Sequence, residues 1–151
     1  MNYIKTQKSK DYYTPKNKDK YKGEYPIRVM SKWEYKFCSW CDHNPNIIYW
    51  ASEPIAIPYH HPLEQRDARY YPDFLIKVNN KKGETDVWLI EVKPHKESIP
   101  PSKHGNKKKS TMLYEQKTWK INSAKWKAAQ RYCKLKGWKF KVVTEKELFG
   151  K

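Results

Sequence analysis

Long apolar runs are missing from this chain, and its first residues lack the hydrophobic segment and small-residue cleavage site of a secretory signal. A membrane-spanning helix is therefore not expected, and the predicted location is intracellular. Cysteine is scarce: Cys38, Cys41 and Cys133 are too few, and odd in number, for a disulfide framework. No internal repeat is visible, which excludes a solenoid or array. Acids are short too, with 16 against 32 lysines and arginines, and the formal charge of +16 exceeds what solubility requires. Such an excess needs a polyanionic partner, and nucleic acid is the usual one. The 7 tryptophans and 12 tyrosines can stack on bases or fill a core.

At 151 residues the chain suits one domain. Residues 1–26, rich in lysine and tyrosine and without a helical or strand period, read as a basic, flexible N-terminal arm, either a solvated tail or a clamp on DNA or a protein partner. Residues 27–151 carry the folded domain. Ser31 to Asp42 has helical spacing, with Trp33, Phe37, Trp40 and Cys41 on one face and a capping-box start in Ser31 and Glu34. Ile47–Trp50 and Ile55–Ile57 are strand-like, with a bend or edge at Pro54. His60 to Arg69 reads as a loop. Tyr70–Ile76 and Val87–Lys93 then form a hairpin across the turn residues Asn79–Gly83. Pro94 to Lys109 is a basic loop whose Lys103, Lys107, Lys108 and Lys109 are candidate phosphate ligands. A helix is predicted over Thr118–Lys136 with Gly137 as its C-cap, then a strand over Trp138–Val143 and a short helix from Thr144.

The chemistry concentrates in the hairpin. It sets Asp73 beside Glu91 and Lys93, and the two-residue period of a strand turns Glu91 and Lys93 to one face while Ile90 and Val92 enter a core. Two carboxylates, helped by the Val92 backbone carbonyl, are hard oxygen ligands for Mg²⁺. Such an ion polarises a phosphoryl group and activates water, Glu34 can act on it through water, and Lys93 can orient the attacking water or stabilise charge on the phosphate. Alone, a Glu-x-Lys on a strand is often an ordinary exposed pair. Cys38 and Cys41 make a single C-x-x-C near His43 that needs His60 or His61 to complete a zinc site, and one turn apart on a helix they are better suited to packing.

Pro72-Asp73 followed by Glu91-Val92-Lys93 resembles the PD-(D/E)XK nuclease motif. The wider order Ser31-Lys32-Trp33-Glu34, Ser52-Glu53-Pro54, Tyr71-Pro72-Asp73-Phe74 and Glu91-Val92-Lys93-Pro94 resembles the branch holding the end-cleaving endonuclease of heteromeric bacterial transposases and the small head-completion nucleases of tailed phages. The resemblance implies a single-domain α/β restriction-endonuclease-like core, a mixed β-sheet flanked by helices. It also implies Mg²⁺ dependence, with Mn²⁺ as a substitute, and Glu34, Asp73, Glu91 and Lys93 as the active set. The implied activity is phosphodiester hydrolysis on DNA, at packaged ends in a phage setting. Expected partners there are portal or head proteins, or a transposase in the other setting, with the protein in the host cytoplasm or virion-associated. The alternative is a non-catalytic DNA-binding structural protein of a virion or transposition complex.

Overall fold

The computed structural model describes residues 12–102 and 105–149. Its eight strands and three α-helices run β1 (Tyr12–Tyr13), β2 (Ile27–Arg28), α1 (Lys32–His43), β3 (Ile47–Ser52), β4 (Ile57–His61), β5 (Arg66–Tyr70), β6 (Phe74–Asn79), β7 (Thr85–Val92), α2 (Lys109–Lys136), β8 (Lys139–Val143) and α3 (Glu145–Leu148). The central sheet has the order β3-β6-β7-β8, antiparallel throughout except that β8 runs parallel to β7. The parallel pair needs a crossover, and α2 supplies it. This is the mixed α/β architecture expected.

Both faces of the sheet are buried, so β6 and β7 read as nearly continuous apolar runs. On one face Phe74, Ile76, Ile90 and Val92 pack with Phe37, Cys38 and Cys41 of α1 and with Trp50. On the other, Leu75 and Leu89 meet Trp126, Ala129 and Cys133 of α2 and Ile57, Tyr59 and Tyr70 of the β4–β5 hairpin. Gly137 ends α2 with φ 74, the left-handed value a C-cap glycine takes at no steric cost. The Thr144–Glu147 capping box starts α3.

Four expectations change. The described part of the N-terminal arm, residues 12–26, is built into the fold: Tyr13 and Tyr21 are buried, with rings 6.0 and 4.7 Å from Trp50. The fully buried Asp42 holds this segment, its carboxylate accepting from the Tyr13 hydroxyl (2.6 Å) and from the N–H of Lys16 (2.8 Å) and Asn17 (2.9 Å). Lysine content had hidden tyrosines that fill a core. Residues 1–11 lie outside the described residues. On α1 the inward positions are Phe37, Cys38, Cys41 and Asp42, and Trp40 is exposed. His60 to Arg69 is a hairpin rather than a loop, β4 pairing antiparallel with β5. Ile57, Tyr59 and His61 point inward at the two-residue period of a strand, and the His61 ring accepts from the N–H of Leu63 and Glu64 to hold the turn. Finally, α2 begins at Lys109, nine residues early, because its first turns carry no apolar stripe against the sheet and so leave no periodic signal.

Candidate active site

The site forms where β6 begins and β7 ends. Phe74 pairs with Ile90, so one step further the ladder brings Asp73 alongside Glu91. Asp73 follows the buried Pro72, and its Oδ2 accepts from the Val92 N–H at 2.8 Å, while its carbonyl accepts from the Glu53 N–H at 2.8 Å. Glu53 takes a left-handed φ of 45 in the bend before Pro54, so this anchoring turn carries local strain beside the site. Lys93 Nζ lies 3.8 Å from Glu91 Oε2, and Glu91 Oε1 accepts from the Tyr70 hydroxyl at 2.6 Å. Glu34 arrives from the first turn of α1. Ser31 Oγ accepts from its N–H at 3.1 Å, as the capping pattern requires, but the Glu34 carboxylate reaches back to the N–H of Met30 rather than of Ser31.

The charges are mutually perturbed. Burial raises Glu34 to about 7, with Glu91 and Glu53 adding to the rise and the Met30 N–H and Lys93 opposing it. Asp73 is pushed well above the carboxylate range by burial, then by the negative charges of Glu91 and Glu34. Glu91 is also raised by burial, against the pull of Tyr70, Lys93 and Lys125. Three acids crowded until ionisation is disfavoured are the donor set that a divalent cation relieves. Among the described residues no group of three or more His, Cys, Asp or Glu side chains closes around one point, so an ion here would rest on two carboxylates plus carbonyl and water, as Mg²⁺ commonly does.

The structure brings Glu34, Asp73, Glu91 and Lys93 into one electrostatic cluster and sets the Val92 peptide against Asp73. Among the basic-loop candidates, Lys107 is tied to Glu115 and to the Ser102 carbonyl, both at 2.9 Å. Lys108 and Lys109 are exposed at the start of α2, and Lys103 lies outside the described residues. Cys38 and Cys41 are fully buried, and burial pushes both thiols up, so they serve the core as neutral groups. Sequence assigns no site role to Tyr70 or Lys125, and Glu53 enters only through the Ser52-Glu53-Pro54 segment. Tyr70 orients Glu91, and removing its hydroxyl in Tyr70→Phe should weaken divalent-cation affinity about tenfold with the fold intact, measured by calorimetric titration.

A mixed sheet between helices, with an acid, an acid and a lysine at the meeting of two central strands, defines a restriction-endonuclease-like nuclease. Residues 44–145 match the family described as TnsA-like endonuclease N terminal, and the chain belongs to it. It is similar to the head completion nuclease of Enterobacteria phage T4, at 39% identity over 137 residues that cover 88% of this chain and 89% of that one. Asp73, Glu91 and Lys93 fall within the family match, and Glu34 precedes it. No helix among the described residues is long and apolar enough to cross a membrane.

Proposed function

We propose that the chain is a divalent-cation-dependent DNA endonuclease of phage head completion, with Mg²⁺ as the cation and Mn²⁺ as a substitute. The observation that carries it is the cluster of Glu34, Asp73, Glu91 and Lys93, in which burial raises all three carboxyls and neighbouring acids raise Glu34 and Asp73 further. The likeness to a head completion nuclease, over 89% of that protein, supports the virion setting over the transposon one, with portal or head proteins as partners and packaged DNA ends as substrate.

Asp73 and Glu91 would hold the cation, with the Val92 carbonyl beside them and Glu34 acting through water. When bound, it polarises the phosphoryl group and makes the attacking water more acidic. Asp73 is fixed by the Val92 N–H and Glu91 by Tyr70, so neither carboxylate has to reorganise as the reaction proceeds. Lys93 offers its ammonium to the phosphate as the water oxygen, giving up one proton to solvent, bonds to phosphorus and one P–O ester bond breaks. The leaving oxygen takes up a proton. Exposed Lys108 and Lys109 bind flanking phosphates, and the charge of +16 supplies the general attraction.

The test is cleavage of duplex and branched DNA with Mg²⁺, Mn²⁺ or chelator. Cutting should need the cation and fall about 100-fold in Lys93→Ala, the scale of one lost proton-transfer or charge-stabilising group. Cation should also raise the Tm of the wild type by a few degrees, because only the folded site binds it. Cutting in chelator, or unchanged cutting in Lys93→Ala, would overturn the proposal.

A further inference from the structure

Helix α2 carries a lysine where its register asks for an apolar side chain. Lys125 stands three residues after Asn122, three before Ala128 and four before Ala129, and all three of those are buried. Residues at these spacings share one helix face, so Lys125 leaves α2 toward the packed side of the molecule. Its ammonium comes to 6.0 Å from the Tyr59 ring centroid and 5.8 Å from that of Tyr70. Tyr70 is the residue whose hydroxyl holds Glu91.

An ammonium brings three N–H donors and no acceptor. Lys125 is only half-buried, yet among the described residues its Nζ has no hydrogen bond and no ion pair within 4.0 Å. The acid nearest in effect, Glu91, already has one oxygen on the Tyr70 hydroxyl and the other facing Lys93. Burial pulls the Lys125 ammonium below its ordinary pKa, while Glu91 and Asp73 act to hold it up and Lys93 opposes them. Two tyrosine faces attract a cation but do not satisfy its donors. The result is a positive group set at the edge of the acid cluster whose donors are bonded to no described protein group.

Charge counting suggests what uses it. Glu34, Asp73 and Glu91 contribute three negative charges when ionised, and Lys93 and Lys125 return two. Adding a divalent cation leaves the set one charge positive, which matches a single phosphodiester. Without Lys125 the loaded site is neutral toward that anion. A neutral set attracts that anion less strongly than one with a net positive charge.

We propose that Lys125 is the second cation of the site and binds an oxygen of the phosphate being cut, across from Lys93. This rests on the nuclease reading above and adds to it a substrate contact from a second element, so that the strand is gripped between the β7 end and α2. A lysine merely neutralising the acids would act through cation binding and stability. A phosphate ligand acts on DNA.

The experiment compares wild type, Lys125→Ala and Lys125→Arg in three measurements on the full chain. These are single-turnover cleavage at saturating duplex DNA, the salt dependence of DNA binding in the presence of Ca²⁺, and the Tm shift on adding Mn²⁺. For Lys125→Ala the cleavage rate should drop about 100-fold, as for loss of one preorganised donor, and the slope of log K against log salt should fall by about one phosphate contact. The Mn²⁺ shift should be no smaller than in wild type, since a positive charge beside Glu91 has been removed, and Lys125→Arg should recover most of the rate and the slope. A Lys125→Ala rate within threefold of wild type, an unchanged salt slope, or a cleavage loss that travels with loss of the Mn²⁺ shift overturns the inference while leaving the nuclease standing. Absence of cutting by wild type overturns the nuclease reading, and the salt slope then still decides whether Lys125 meets phosphate.

Discussion

Replacing Asp73 with alanine is expected to lower single-turnover DNA cleavage by about 1,000-fold or more, the scale of several kcal/mol that a cation-binding carboxylate controls. Asp73 bears the strongest crowding of the three acids, since burial and two neighbouring carboxylates all act on it. That same crowding gives Asp73→Asn an effect of opposite sign on stability. The folded-state pKa of Asp73 is raised, so the contribution of its protonated form is fully present below the unfolded value near 4 and is lost as pH rises through the folded one. At neutral pH without cation the charge therefore opposes folding. Asparagine removes the charge and keeps an oxygen for the Val92 N–H. Cation-free Asp73→Asn should melt a few degrees above wild type, and added Mn²⁺ should raise its Tm less. A thermal melt with and without Mn²⁺ checks both, and a drop in Tm for the cation-free variant would contradict the crowding.

Asp42→Ala is the second large effect, on folding rather than chemistry. The residue is fully buried near the end of α1, with Tyr13, Lys16 and Asn17 on its carboxylate and the Asn17 amide and Lys20 ammonium on its carbonyl. Burial pushes its pKa up, but the Tyr13 hydroxyl and the two backbone donors outweigh that and hold it below the ordinary value. Alanine leaves three buried or half-buried donors without an acceptor, and the loss should be about 3 to 5 kcal/mol, measured by urea unfolding. The sign with pH follows: Asp42 stabilises above its unfolded pKa near 4, and the benefit disappears as pH falls through the lower folded value. The wild type should therefore lose stability more steeply than Asp42→Ala on acidification below pH 4.

Much of the fold could be read because local and tertiary preferences agree. The β6–β7 hairpin announces itself through turn residues between two apolar runs, and Glu34 through the serine three residues before it. The β4–β5 hairpin was obscured by its residue types: Pro58 and Pro62 break strand signals, although Ile57, Tyr59 and His61 keep a strand period. The early part of α2 has helix-forming residues such as Met112, Leu113, Glu115 and Gln116 but no buried face, so spacing alone cannot find it. Asp42 passes for a solvent-facing acid at a helix end until the N-terminal segment is seen to wrap it. At the site, Asp73, Glu91 and Lys93 are a hairpin apart and legible; Tyr70, equally near in sequence, touches Glu91 from β5, whose pairing with β4 the residue types obscure, and Lys125 comes from a helix far along the chain. Lys125 leaves one trace, a charged side chain on the buried stripe of its helix.

Because α2 is one unbroken helix of 28 residues, its exposed basic start and the half-buried Lys125 in its middle cannot move independently. From Lys109 to Lys125 the axis rises about 24 Å at the usual 1.5 Å per residue. Duplex DNA advances about 3.4 Å per base pair, so that span covers roughly seven steps. A duplex lying along this helix would meet Lys109 and Lys125 at that one spacing, whatever its sequence.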